Sequence, residues 1–193
     1  LEDVEKQAYW NKLWRNPIVS DTYEPGSTFK LITAAMSLEE NVARPDTLFY
    51  ATGSINVAGQ NIRCWRYYRP HGEQTLTQAL ENSCNPVFVE LSQKLGKEKV
   101  YKYLEAFGFG GKTGIELPGE SGGLTIPIGK AGPVELATMS FGHGLSITPI
   151  QLLTAVSALA NDGRLMEPRL ISGLADNDGN IVETCDPVLK RQL

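Results

Sequence analysis

Three stretches of this sequence carry helix-start signals strong enough to set their own boundaries, and they largely decide what the chain can fold into. Thr75 precedes Leu76 with Gln78 three positions on, the two halves of a capping box. Asn85 before Pro86 reads as an N-cap with proline at the first helical position. Thr148-Pro149-Ile150-Gln151 repeats the capping-box logic. Each signal is followed by apolar residues at helical spacing: Ala79 and Leu80, then Phe88, Leu91 and Leu95, then Leu152, Ala155, Val156 and Leu159. The expected ends are near Asn82, at Gly96 and at Asn161-Asp162-Gly163. The last of these helices, near 149–161, is the most apolar and is expected to be central.

The rest of the chain fills in around these helices. Leu1 to Trp14 suits a short charged helix that Asn16-Pro17 stops. After the turn Glu24-Pro25-Gly26, a helix is expected over 27–40, with Phe29, Ile32, Ala35 and Met36 on one face. Residues 47 to 65 read as a hairpin, 97 to 107 as a helix with Val100, Leu104 and Phe107 inward, and 133 to 140 as another short helix. Residues 108 to 132 are too glycine-rich for a regular element. Asp176-Asn177-Asp178-Gly179 signals a hairpin in the tail. With 193 residues, no repeat and no linker, one domain is expected over 1–193. Its class is mainly α with small β hairpins.

Composition excludes some functions. Charged residues are 21% and the net charge is −4 with no Lys/Arg run, so neither nucleic acid nor anionic lipid is an expected partner. No apolar window is long enough for a membrane helix, so any anchor is expected outside this chain. Cys64, Cys84 and Cys185 follow no metal spacing such as C-x2-C, and their odd number cannot pair completely.

Ser27-Thr28-Phe29-Lys30 places a hydroxyl and an amine three residues apart, one turn apart on the same helix face. A serine is a weak nucleophile until a neighbouring base takes its proton. The positive end of the helix dipole disfavours a protonated lysine there, so Lys30 is placed to be that base. An isolated S-x-x-K is more often an N-cap serine followed by a surface lysine. Ser83-Cys84-Asn85, in the break between two helices, is weaker still alone. The order S-x-x-K then S-x-N is what gives both weight, since penicillin-recognising serine acyltransferases use it.

The run Trp14-Arg15-Asn16-Pro17 … Ser20-Asp21-Thr22-Tyr23-Glu24-Pro25-Gly26-Ser27-Thr28-Phe29-Lys30 resembles the nucleophile segment of class B penicillin-binding proteins, above all the division and sporulation-specific D,D-transpeptidases of Gram-positive bacteria. Similar too are His71-Gly72 … Asn82-Ser83-Cys84-Asn85-Pro86-Val87-Phe88, the segment from Phe107 to Glu120, and Phe141-Gly142-His143-Gly144 … Thr148-Pro149-Ile150-Gln151. The resemblance implies Ser27 as acylated nucleophile, Lys30 as its base, Ser83 as proton relay and Asn85 as holder of the substrate amide. It implies peptidoglycan stem peptides and β-lactams as partners, no metal or cofactor, and an extracytoplasmic site on a membrane-anchored parent.

One departure stands out: no K-[ST]-G, the family's third motif, follows residue 168. Lys112-Thr113-Gly114 has the letters but sits in the Gly-rich segment and reads as a chance match. The resemblance then implies the helical part of the β-lactamase/transpeptidase-like α+β fold without most of its central five-stranded sheet. Helix faces that rest on that sheet would be open to self-association, and the chain alone would not be competent. Two rivals stay open: a non-catalytic β-lactam-binding or scaffolding module, and a β-lactamase or carboxypeptidase, the former of which lacks its E-x-x-L-N signal after Asn85. His143 is expected to line the cleft without chemistry, and the aromatics between Arg63 and Arg69 to pack on the body.

Overall fold

The computed structural model describes residues 2–193. In chain order the helices are α1 (Glu2–Trp14), α2 (Pro17–Ser20), α3 (Lys30–Glu39), α4 (Leu76–Glu81), α5 (Asn85–Leu95), α6 (Lys97–Ala106), α7 (Pro133–Met139) and α8 (Pro149–Ala160). The strands are β1 (Leu48–Ala51), β2 (Ser54–Val57), β3 (Gln60–Arg63), β4 (Gly72–Thr75), β5 (Leu124–Thr125), β6 (Leu145–Ser146), β7 (Arg164–Met166), β8 (Gly173–Ala175), β9 (Ile181–Thr184) and β10 (Leu189–Gln192). The architecture is mixed α/β, and every sheet among the described residues is two-stranded. Two compact units, each discontinuous in sequence, divide the chain: Glu24–Phe107 with Leu124–Ser146, and residues up to Tyr23 with Gly108–Gly123 and Ile147–Leu193.

In the first unit α5 is the central helix. Pro86, Val87, Phe88, Val89, Leu91, Ser92 and Leu95 are all buried, and the helix packs on α3, α7 and the strands β1 to β3. A helix apolar around most of its circumference must be covered on most sides. Phe88, Leu91, Leu76, Ala79, Phe49 and Cys64 share one core cluster, while Val89 joins Val57, Ala137 and Phe141 on the other side. The Thr75 capping box forms as read: Thr75 Oγ1 accepts from Gln78 N and Gln78 Oε1 accepts from Thr75 N. Gly96 ends α5 with φ +80.

The second unit is built on α8. Its Thr148–Gln151 capping box also forms, and the Gln151 side chain then donates to the carbonyls of Gly111 and Gly122. One buried amide thus holds two turns of the Gly-rich segment. Val19, Ile115 and Ile150 make the apolar contact beside it. The tail hairpin β8–β9 turns at Asp176, whose carboxylate accepts from the backbone of Asp178 and Asn180.

Several expectations need correction. Residues 47–65 are not one hairpin: β2 pairs with β3, but β1 pairs with β4, and β7 likewise pairs with β10. Helix α8 is less buried than its apolar sequence suggests: only Ile150, Gln151, Ala155 and Ala158 are buried and Leu153 is 61% exposed. Trp65, Tyr67 and Tyr68 pack on the body only in part and are 61%, 51% and 73% exposed. Their turn keeps order in other ways, since Trp65 Nε1 donates to Asn82 O and the Arg63 guanidinium lies 4.9 Å from the Tyr67 ring centre. Leu1, part of the expected first helix, lies outside the described residues.

Candidate active site

All four residues named from the sequence lie in the first unit and meet at one point. Gly26–Phe29 forms a 3₁₀ turn that runs into α3 at Lys30. The expected α-helix therefore begins three residues later than Ser27. In a 3₁₀ turn residues i and i+3 eclipse, so the change brings Ser27 and Lys30 more closely into line. Ser27 is exposed and caps no backbone group, whereas Lys30 is 1% exposed. That inverts the ordinary pattern of a buried cap and a surface lysine.

Lys30 Nζ stands 3.2 Å from Ser27 Oγ, 2.8 Å from both Ser83 Oγ and Ser83 O, and 2.7 Å from Asn85 Oδ1. Ser83 Oγ donates to Ser27 Oγ at 2.9 Å, closing the triangle. The Phe88 ring centre lies 5.4 Å below the amine. Burial lowers the Lys30 pKa from its ordinary value to about 8, partly offset by the neighbouring Cys64 and Cys84 side chains. Desolvation disfavours the ammonium, which makes a free amine available near neutral pH. Burial also drives the Cys84 thiol up to about 11, and Cys64 adds to the effect.

The second motif is held by the break between α4 and α5. Ser83 takes a left-handed conformation, φ +51, which turns its carbonyl and hydroxyl together toward Lys30. Asn85 does not cap α5 as expected. The cap position falls on Cys84, without a side-chain hydrogen bond, and Asn85 is the first helical residue. Its amide is used elsewhere, accepting from Lys30 through Oδ1 and donating through Nδ2 to Arg63 O at 3.1 Å. A buried ammonium needs acceptors more than a helix end needs one cap, since an unpaired buried charge is the costlier defect.

The loop after α7 supports the turn that carries Ser27. Gly142 O accepts from Gly26 N at 3.1 Å, and a Cβ on Gly142 would stand 2.2 Å from Gly26 O. Glu24 accepts from Gly144 N at 2.8 Å and pairs with His143 Nδ1 at 3.0 Å. His143 thus bonds to Glu24 and to neither Ser27 nor Lys30. Sequence reasoning gave no role to Gly142, Glu24 or the carbonyls of Ser83 and Arg63; for Gly142 and Glu24 the only signal was their place in the segments that resemble the family. Lys112-Thr113-Gly114, in the other unit, has a structural use: Thr113 N and Oγ1 donate to the Glu120 carboxylate at 2.6 and 2.5 Å, as does Gly114 N at 3.2 Å.

A serine hydroxyl beside a buried amine, with a second hydroxyl and an amide on the far side, is a constellation that suits acyl transfer through a covalent intermediate. The comparisons with known proteins point the same way. Residues 2–192 match the family model described as the penicillin binding protein transpeptidase domain. The chain is 48% identical over 183 residues to Stage V sporulation protein D of Bacillus subtilis, covering 93% of this chain and 28% of that protein. It superposes on penicillin-binding protein 3 of Mycobacterium tuberculosis, solved as a complex with aztreonam, with a TM-score of 0.80 and 35% identity over 90% of this chain and 39% of that one. The D,D-transpeptidase domain of a peptidoglycan glycosyltransferase from Eggerthella lenta gives 0.86 and 27% identity, covering 99% and 50%.

Proposed function

The chain belongs to the penicillin-binding protein transpeptidase domain family, and from that premise we propose that Ser27 is the acyl-accepting nucleophile of a peptidoglycan D,D-transpeptidase. The observation that carries the reading is the contact of an exposed serine hydroxyl with a lysine amine that is itself buried. Lys30 takes the Ser27 proton as the oxygen attacks the carbonyl of the penultimate D-alanine. Ser83, bonded to both Ser27 and Lys30, returns a proton to the leaving amine of the terminal D-alanine. Asn85, fixed by Arg63 O, orients the substrate amide. An amine from a neighbouring stem peptide then resolves the acyl-enzyme. A β-lactam presents a strained amide in the same place and traps Ser27, which agrees with the aztreonam and ampicillin complexes of penicillin-binding protein 3 from Mycobacterium tuberculosis.

Residues 1–193 form part of one transpeptidase domain in this reading. The chain spans about 28% of the length of curated relatives such as Stage V sporulation protein D. Most of the central five-stranded sheet and the K-[ST]-G motif come from sequence beyond these residues. Leu31 and Leu38 of α3 and Leu153 of α8 are exposed apolar side chains that such a sheet would cover, and self-association is the alternative cover. No helix of the described residues is long and apolar enough to cross a membrane. The working site is extracytoplasmic, where peptidoglycan lies.

Intact-mass spectrometry after incubation with a penicillin tests the assignment. The expected result is one covalent adduct on the full-length protein, absent in Ser27→Ala, and little or none on residues 1–193 alone. Labelling that survives Ser27→Ala overturns it. A protein that takes the adduct but releases no D-alanine from a stem-peptide substrate would be a binding module instead.

A further inference from the structure

Two cysteines and a histidine beside the catalytic corner have no role in acyl transfer. Cys64 follows β3, His71 precedes β4, and Cys84 sits in the break between α4 and α5. The strand pairing and the α4–α5 turn bring one ligand atom from each to within 4.8 Å of the others, with Cys64 Sγ 3.8 Å from His71 Nδ1. Both thiols are buried and the imidazole is partly so. His71 Nε2 is buried without a hydrogen-bond partner among the described residues. Trp65 lies edge-on to the imidazole, ring centres 5.9 Å apart, and is itself tied to Asn82 O. The imidazole nitrogen that faces the Cys64 thiol is Nδ1, and an ion bound between the three side chains would replace that contact.

Zinc bonds to thiolate sulfur at about 2.3 Å and to imidazole nitrogen at about 2.0–2.1 Å, so a tetrahedral ion sets its ligand atoms roughly 3.5–3.8 Å apart. The Cys64–His71 separation has that value already, and the widest gap in the cluster is within ~1 Å of it. We propose that Cys64, His71 and Cys84 form a site for a thiophilic divalent cation of the zinc class. Two thiolates and one imidazole bind the ion, two thiol protons pass to solvent, and one coordination position stays open. The two thiolate charges cancel that of the ion, so the centre adds no net charge beside Lys30.

What the site would do follows from where Cys84 lies. It stands between Ser83 and Asn85, the two residues that receive the Lys30 amine, and Ser83 is held in a left-handed conformation. A metal bond at Cys84 ties this break to the ends of β3 and β4 and so holds the corner in shape. The ligands run C-x6-H-x12-C, and no linear metal motif announces them because the turns, not the spacing, bring them together.

The test uses the full-length protein, reduced and stripped with a chelator, then titrated with cobalt(II). The expected result is about one cobalt per chain, seen by thiolate-to-cobalt charge-transfer absorption and displaced by zinc. Cys64→Ser, Cys84→Ser and His71→Phe should each abolish the band, with circular dichroism showing that the variants are folded. His71→Cys should restore it, which keeps the test informative if a single variant fails to fold. The proposal is overturned if no band appears, if it survives Cys84→Ser, or if thiol titration finds Cys64 and Cys84 joined to each other and free of metal in the protein as isolated.

Discussion

Gly142→Ala changes one hydrogen into a methyl group on a loop that makes no contact with substrate in the proposed chemistry, yet it should disable acylation. The structure puts the new Cβ 2.2 Å from Gly26 O, 2.6 Å from Gly26 N and 2.8 Å from Gly26 C. Comfortable contact needs roughly 3.5 Å, so the two backbones must part by about 1 Å. Neither can yield by rotating a side chain, since the opposing atoms are main chain. Gly26 is bonded to Ser27, the proposed nucleophile, and the displacement passes directly to it. A misplacement of about 1 Å costs on the order of 100-fold in rate. Alanine at φ +80 adds about 1–2 kcal/mol of left-handed strain. The second-order rate constant for penicillin acylation, followed by quenched-flow mass spectrometry on the full-length protein, should therefore fall about 100-fold. Unfolding should show a loss of roughly 1–3 kcal/mol. Gly144→Ala separates the two causes. It carries similar strain, φ +76, but its Cβ meets only side-chain atoms, the Thr138 hydroxyl at 3.4 Å and Ile126 Cδ1 at 3.7 Å. It should lose stability and keep most of its acylation rate. Wild-type acylation by Gly142→Ala, or an equal loss in Gly144→Ala, refutes the reasoning.

Three further outcomes follow from the same geometry. Acylation should rise with pH up to about 8 and then level, because burial lowers the Lys30 pKa to about 8 and only the free amine can accept the Ser27 proton. The groups facing that amine are Ser27, Ser83, Asn85, Phe88 and the two thiols, none of them a carboxylate, and a profile flat between pH 6 and 9 would contradict the assignment. Asn85→Ala should lower acylation about 100-fold, since one amide there serves both Lys30 and Arg63 O; if only thermal stability falls, Asn85 is structural. Glu120→Ala should destabilise by about 1–3 kcal/mol, the penalty for unmet donors at Thr113 and Gly114, measured as a lower denaturant midpoint. A neutral outcome there would mean that Lys112-Thr113-Gly114 is not held as a structural turn.

The sequence discloses what is local and conceals what is not. Both threonine capping boxes and the Asp176 hairpin could be read directly, because each is closed by side chains a few residues from the backbone they satisfy. The β1–β4 and β7–β10 pairings could not, since short alternating runs do not name their partners across an intervening segment. Asn85 marks the boundary between the two kinds of information. Asn-Pro is a sound cap signal, and a helix does begin there, but the side chain spends its hydrogen bonds on Lys30 and on a carbonyl from β3. What overrides the local rule is the cost of an amine 1% exposed, which must find acceptors within reach or lose its charge. Three of the acceptors it finds, Ser27 Oγ, Ser83 Oγ and Asn85 Oδ1, have letters in the sequence; the fourth, Ser83 O, has none. The left-handed turn at Ser83 presents this carbonyl to Lys30, and a residue able to hold that turn without the hydroxyl should keep the lysine buried while breaking the proposed path from Ser27 to the leaving group.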